Sequence, residues 1–265
     1  MIFDAHVHPF ENFFSRRRLS SPGSNLGKPE DLLRLMDDVG MAGAMVLGRD
    51  PQQLASYVEQ VPHAYGLYWS PPPGPPIPGE PSTLETINRV LDHPKIVGIK
   101  LHPLVDSFDP SSPMMDGLYD LARQRDAPIL LHTGHEYTSV PWLIGDAARR
   151  HPQTRFVMAH MGLMTMAYVD GAIEVAEELA NVSVDISGMP FLWKIPEAVT
   201  RLGSHRIFYG SDAPFFTPQI EIEKVRMCGV PEAVQERILG QNAVDFYLGG
   251  LDVLGVDENF VARPA

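Results

Sequence analysis

A single-domain TIM-type (β/α)8 barrel is the fold this sequence predicts, on three observations. Short apolar runs rich in Val, Ile, Phe and Tyr alternate along the chain with Ala-, Leu- and Glu-rich stretches of helical period, the pattern of repeated βα units. Eight strand-like runs can be counted. The length, 265 residues, suits a barrel of roughly 250 residues. No tandem repeat or linker breaks the pattern, so residues 1–265 read as one domain.

The strands are expected at 2–8, 43–47, 64–69, 96–101, 128–132, 155–160, 182–186 and 206–211. Helices are expected at 29–39, 51–60, 82–92, 115–125, 140–150, 167–180, 196–202 and 218–227, with a closing helix at 231–248. Pro29, Pro51, Pro196, Pro218 and Pro231 stand at helix starts, where a missing N–H costs nothing. Gly40 and Gly203 follow helix ends as caps would. Runs such as Ile96-Val97-Gly98-Ile99 are apolar on both faces, as buried parallel strands are. Irregular stretches follow the strand ends, where a barrel carries its active-site loops. The longest runs from 9 to 28, and the Pro-rich stretch 70–79 reads as a stiff rim loop rather than a ligand for an SH3-type domain.

With 44% hydrophobic and 20% charged residues there is material for a large core, and wholesale disorder is excluded. A formal charge of −12 and a pI near 5.2 disfavour nucleic-acid and anionic-membrane partners, which call for basic patches. Cys228 is the sole cysteine, so no intrachain disulfide can form and a reducing compartment is expected. No secretory pattern opens the chain, and no run reaches the roughly 18 apolar residues of a membrane span. The expectation is a cytoplasmic protein that meets a small-molecule substrate; self-association is compatible with this composition.

Metal-type side chains gather at the ends of four strand-like runs. His6 and His8 close the first, His132 the fifth, His160 the sixth and Asp212 the eighth. Side chains alternate along a strand, so His6 and His8 share a face, and Asp4 lies one step deeper. A carboxylate and several imidazoles at one end of a parallel sheet suit a divalent metal. A buried Asp212 would be costly without a cation beside it. Gly134 and Gly162 let the loops after His132 and His160 turn sharply. Asp4 reads either as a carboxylate holding a ligand histidine from behind or as one satisfied by backbone amides. Asp185, ending strand 7, is expected to face inward and support the site. His102 and, more weakly, His135 are rim candidates for substrate contact. His63, His93, His151 and His205 fall near helix ends and read as capping or solvated residues. Arg16-Arg17-Arg18 is a charge run that could also receive a substrate carboxylate. Phe10, Phe13, Phe14, Trp69, Phe108, Tyr137, Trp193, Phe215 and Phe216 fall in or beside the same loops and together favour an aromatic or apolar substrate.

These motifs resemble the amidohydrolase superfamily, in the branch that holds uncharacterised amidohydrolases, aminocarboxymuconate-semialdehyde decarboxylase and the resorcylate decarboxylases. The resemblance rests on His6-Val7-His8, Gly98-Ile99-Lys100-Leu101-His102-Pro103, Leu131-His132-Thr133-Gly134, Ala159-His160-Met161-Gly162, Gly210-Ser211-Asp212-Ala213-Pro214-Phe215 and Ile238-Leu239-Gly240-Gln241-Asn242-Ala243. It covers nearly the whole chain in order. It implies that His6, His8, His132 and Asp212 hold one divalent ion, with His160 as the acid/base or orienting imidazole and Asp212 also catalytic. Such a donor set suits Zn²⁺, with Mn²⁺ as the alternative. Lys100 lies where binuclear members carry a carboxylated lysine bridging two metals; its other reading is a lysine paired with a carboxylate such as Asp185. Lys100, His102, Trp69 and Phe215 are the substrate-contact candidates.

The resemblance implies hydrolysis of an amide, lactone or ester bond by a metal-activated water. The same ligands serve non-oxidative decarboxylation of an aromatic or unsaturated acid. A non-catalytic binding protein on an enzyme fold would be signalled by a missing ligand, and none is missing.

Overall fold

In the computed structural model, which describes residues 1–10, 26–75, 77–250 and 254, eight parallel strands pair in chain order. They are β1 (Ile2–Val7), β2 (Met41–Gly48), β3 (Ala64–Trp69), β4 (Ile96–Leu101), β5 (Ile129–Leu131), β6 (Phe156–Met158), β7 (Val182–Asp185) and β8 (Ile207–Phe208). The segment after β8 returns to β1. Ala5 N donates to Tyr209 O at 3.0 Å, Asp212 N to His6 O at 2.7 Å and His8 N to Ala213 O at 2.7 Å. The barrel is thereby nearly closed, with few edge groups left to satisfy.

Helices fill the connections: α1 (Pro29–Val39), α2 (Pro51–Gln60), α3 (Thr83–Val90), α4 (Asp116–Gln124), α5 (Pro141–Arg150), α6 (Met166–Glu178), α7 (Lys194–Leu202) and α8 (Pro218–Met227). Their ends follow local chemistry. Proline occupies the first turn of α1, α2, α5 and α8. Asp50 accepts from Gln53 N at 2.8 Å to cap α2. Ser82 and Glu85 form a reciprocal capping box at α3. Gly40 ends α1 in the left-handed region at φ 66°. Gly203 also stops its helix, but with ψ 143° it turns away extended instead of making the left-handed cap.

Buried side chains fall into two sets. One lies between the strands and the surrounding helices. The other draws mainly on strands and the last helix: Phe3, Met45, Leu47, Leu67, Leu130, Val157 and Phe208 pack with Ala243, Val244 and Tyr247. The latter fill the barrel interior from its N-terminal end. The closing segment, expected as one helix, is α9 (Glu232–Glu236), a π turn at Arg237–Gln241 and α10 (Asn242–Leu248). Gly240 explains the break, because a Cβ there would lie 2.8 Å from Met1 O and 2.9 Å from Phe3 N. The extra residue of the π turn lets this backbone seat against the start of β1. Among the described residues no helix is long and apolar enough to cross a membrane.

β6 and β8 are shorter than the sequence suggests, and the cause lies at the site. His160 has φ 65°, Met161 φ 40°, Leu163 φ 56° and Asp212 φ 54°, values a strand cannot hold. His160 and Asp212 stand in tight turns just beyond the ladders, at the C-terminal ends of the strands.

Candidate metal centre

His6 is set by β1 and by what lies behind it. Its Nδ1 is 2.8 Å from Asp185 Oδ2. A carboxylate oxygen only accepts, so the proton resides on Nδ1 and the Nε2 lone pair faces the barrel mouth. Burial, with the Lys100 charge nearby, holds His6 below its ordinary pKa and keeps the ring neutral. Its Nε2 lies 3.1 Å from His8 Nε2 and 3.4 Å from Asp212 Oδ1. His8 Nε2 is 3.1 Å from the same Asp212 oxygen, while its buried Nδ1 has no hydrogen-bond partner among the described residues. A lone pair pointed at a carboxylate is unfavourable unless a cation comes between them. The donors therefore fit a divalent ion.

Asp185 is the hub behind the site. Its Oδ1 accepts from His160 N at 3.1 Å, Ser187 N at 2.9 Å and Ser187 Oγ at 2.5 Å. Burial pushes this carboxyl up, but His6, His160 and Ser187 outweigh it and hold Asp185 well below the carboxylate range. Asp212 is similarly pushed up by burial yet lowered to about 2 by His6, His8 and His160. His160 is lowered to about 4, chiefly by burial. Its Nδ1 meets Ser187 O at 3.1 Å and Ser187 Oγ at 2.9 Å.

His160, His6 and Asp212 bring one donor atom each within 4.8 Å of one another. His132 joins through His160: its Nδ1 is 3.1 Å from His160 Nε2, and its Nε2 is 2.7 Å from His135 Nδ1. Both nitrogens of His132 are thus engaged by other imidazoles, a contact set the strand pattern did not foreshadow.

These contacts choose between readings left open. Asp4 takes the second of its two, a carboxylate satisfied by backbone amides: its Oδ1 accepts from His6 N at 3.0 Å and Ser211 N at 2.9 Å. The β1–β2 register shifts between Asp4 and Val7, and the carboxylate takes up the His6 N–H at that irregularity. Burial raises Asp4 to about 7. Lys100 is not paired with Asp185, whose oxygens are already taken; its Nζ has no hydrogen-bond partner among the described residues. Burial lowers Lys100 to about 8 against the pull of Asp185, Asp212 and Asp106.

Over the donors opens a cavity of about 300 Å³ lined by His8, Trp69, Lys100, His102, His132, Asp212 and the apolar Leu163, Met164, Phe215 and Phe216. Trp69 stacks on His102 with ring centroids 5.4 Å apart, and His102 stacks on His132 at 3.8 Å. Asp106 fixes this wall, accepting from Trp69 Nε1 at 3.0 Å and Arg49 at 2.9 Å, with the Arg49 guanidinium 4.1 Å over the indole. Phe215 meets His8 edge-on at 5.4 Å. Ser187, Asp106 and Arg49 were not singled out from sequence. Ser187 alone had a signal, two residues beyond the strand-end Asp185. His93 pairs with Glu59 and His151 with Asp116, away from the cavity. Arg16, Arg17, Arg18, Phe13 and Phe14 lie outside the described residues.

The glycines beside the histidines are sterically required. Gly162 has φ +87°, and a Cβ there would stand 2.3 Å from Tyr168 C; on Gly134, at φ +108°, it would stand 2.6 Å from Gly162 C. Gly162→Ala is expected to lose at least about 1–2 kcal/mol from the left-handed backbone alone, with the clash in addition. A urea titration reads this as a lower midpoint; an unchanged midpoint would show that the loop yields freely.

The family model described as "Amidohydrolase" matches residues 3–248. The chain belongs to the amidohydrolase family. No curated protein matches it in sequence. In fold, this amidohydrolase is similar to an uncharacterized TIM-barrel protein from Bordetella bronchiseptica, with TM-score 0.75 and 17% identity over 96% of this chain and 99% of that one. It is also similar to a provisionally assigned 2-pyrone-4,6-dicarboxylic acid hydrolase from Pseudomonas putida, with TM-score 0.71 and 16% identity over 97% and 98%. A 2,6-dihydroxybenzoate decarboxylase from Rhizobium gives TM-score 0.67 and 14% identity over 93% and 98%. Hydrolases and decarboxylases thus share the barrel of this amidohydrolase.

Proposed function

We propose that this amidohydrolase is a metal-dependent hydrolase that cleaves a C–O or C–N bond, as in a lactone, ester or amide, of a small apolar or aromatic substrate. The observation that carries the reading is the convergence of His6 Nε2, His8 Nε2 and Asp212 Oδ1 within 3.1–3.4 Å of one another at the floor of a largely apolar cavity. His6, His8, His132 and Asp212 would hold one Zn²⁺, or Mn²⁺ in its place. When bound, such an ion supplies an acidified water and polarises the scissile carbonyl.

The chain's own groups do the rest. Asp212, ionised at neutral pH, accepts the proton of the attacking water. His160, anchored through Nδ1 by Ser187, holds the proton in transit toward the leaving group. Asp185 keeps His6 in the tautomer whose Nε2 faces the site. Phe215, Phe216, Leu163 and Met164 shelter the substrate's apolar part from water. The lone, buried Cys228 suits work in a reducing compartment such as the cytoplasm.

The second reading, decarboxylation, uses the same donors and is favoured by one observation, a Lys100 ammonium with no hydrogen-bond partner among the described residues that could meet an acid. One experiment separates them. Protein purified without chelator is expected to hold near-unit zinc or manganese and to release acid from members of a lactone, ester and amide panel without CO₂. Chelation should abolish turnover and zinc should restore it. CO₂ release from hydroxybenzoates with no hydrolysis, or full activity without metal, would overturn the proposal.

A further inference from the structure

We propose that the C-terminal end of β4 carries an acid-recognising pair, Lys100 on the strand and His102 just beyond it, and that the substrate of this site is a small carboxylate that seats on the Lys100 ammonium. The inference builds on the hydrolase reading only for the bond that breaks; the acid that binds is argued from other atoms.

Lys100 is 1% exposed and lines the cavity. An ammonium has three donors, yet Nζ has no hydrogen-bond partner among the described residues. The acidic groups that act on it electrostatically are Asp185, Asp212 and Asp106, and each is committed elsewhere. Asp185 serves His6, His160 N and Ser187. Asp212 faces His6 and His8. Asp106 is taken by Arg49 and Trp69. A buried cation in that position needs an acceptor beyond these three carboxylates, and the cavity is the side from which one can come.

His102 supplies a second donor. Its Nδ1 accepts from Val105 N at 3.3 Å, so the proton of the neutral ring resides on Nε2. The ring is sandwiched between Trp69 and His132, each within 14° of parallel, which fixes where that N–H points. An ammonium at the end of β4 and an N–H two residues on, both lining the cavity, suit the two oxygens of a carboxylate. Among the described residues lining the cavity Lys100 is the only lysine or arginine, and Leu104, Val105, Leu163, Met164, Phe215 and Phe216 line much of the rest. One acid group on an apolar body fits that lining.

The test is calorimetric binding of benzoate and of benzamide, its neutral isostere, to the zinc-loaded protein. Lys100→Met is expected to weaken benzoate by about 10–100-fold, the scale of a lost charged hydrogen bond, while benzamide affinity and zinc content hold. Lys100→Arg should restore part of the loss. With a carboxylate-bearing ester the damage should fall on KM more than on kcat. His102→Phe, which keeps the stack and removes the N–H, should weaken benzoate severalfold and keeps the test available if Lys100→Met fails to fold. Equal benzoate affinity in both variants, or a loss confined to kcat, would overturn the proposal. If benzoate binding depends on Lys100 but no ester, lactone or amide is hydrolysed, the hydrolase reading alone fails. If neutral and carboxylate-bearing esters are cleaved alike and Lys100→Met changes neither, this inference alone fails.

Discussion

Asp212→Asn is expected to lose metal occupancy and turnover together, whereas His160→Asn should keep its metal and lose turnover alone. Among the described residues Asp212 Oδ1 is the carboxylate oxygen that faces both His6 Nε2 and His8 Nε2. The amide removes a negative donor and a proton acceptor in one change. A lost proton-transfer partner costs about 10²–10⁴ in rate, and Asp212→Asn should exceed that range because the ion goes too. His160→Asn should fall within it. Elemental analysis beside steady-state rates on both variants distinguishes the roles. The contest is real in the structure, since His160, not His132, approaches His6 and Asp212 within 4.8 Å. An empty His160→Asn with a loaded Asp212→Asn would exchange the two assignments.

Asp185→Asn should be nearly as damaging although Asp185 lies behind the ligands. Its Oδ2 fixes the His6 tautomer, and its Oδ1 gathers three donors from His160 and Ser187. An amide keeps one acceptor oxygen and turns the other position into a donor. Either His6 is driven to the tautomer that puts its proton toward the site, or the Ser187 and His160 amides lose their acceptor. Loss of such a partner behind a metal ligand weakens metal binding by about 10–100-fold. Competition with a zinc-chelating dye measures this. Unchanged zinc affinity would mean that His6 is oriented by β1 alone.

The barrel was legible because its determinants are local. Proline starts, the Ser82–Glu85 box and apolar strand runs each declare an element, and α1, α2 and α8 begin and end where periodicity places them. The residues of the candidate centre were legible as types at strand ends. Their partners were not. Asp185 meets the His6 ring while Asp4 takes backbone amides, beside a register shift in β1 that no alternation pattern shows. That Lys100 has no hydrogen-bond partner among the described residues depends on the sum of contacts drawing Asp185, Asp212 and Asp106 elsewhere, a property of three distant segments at once. The wall made by Arg49, Asp106 and Trp69 was hidden because Arg49 and Asp106 lie 57 residues apart and neither belongs to a motif.

The turns that present His160 and Asp212 have a consequence for how this molecule can change. His160, Met161, Leu163 and Asp212 all hold positive φ without being glycine, conformations that typically cost about 1–3 kcal/mol each. At Met161 and Leu163 the side chain is apolar and buried, and neither carries a donor, acceptor or proton for the chemistry, though Leu163 also helps line the cavity. Selection for heat resistance has room to search at those two places, trading side-chain packing against a relaxed backbone. At His160 and Asp212 the same relief would remove the imidazole or the carboxylate itself. Adaptation of this chain to temperature should therefore divide a four-residue pattern into two tolerant and two immovable positions, although all four share one backbone geometry.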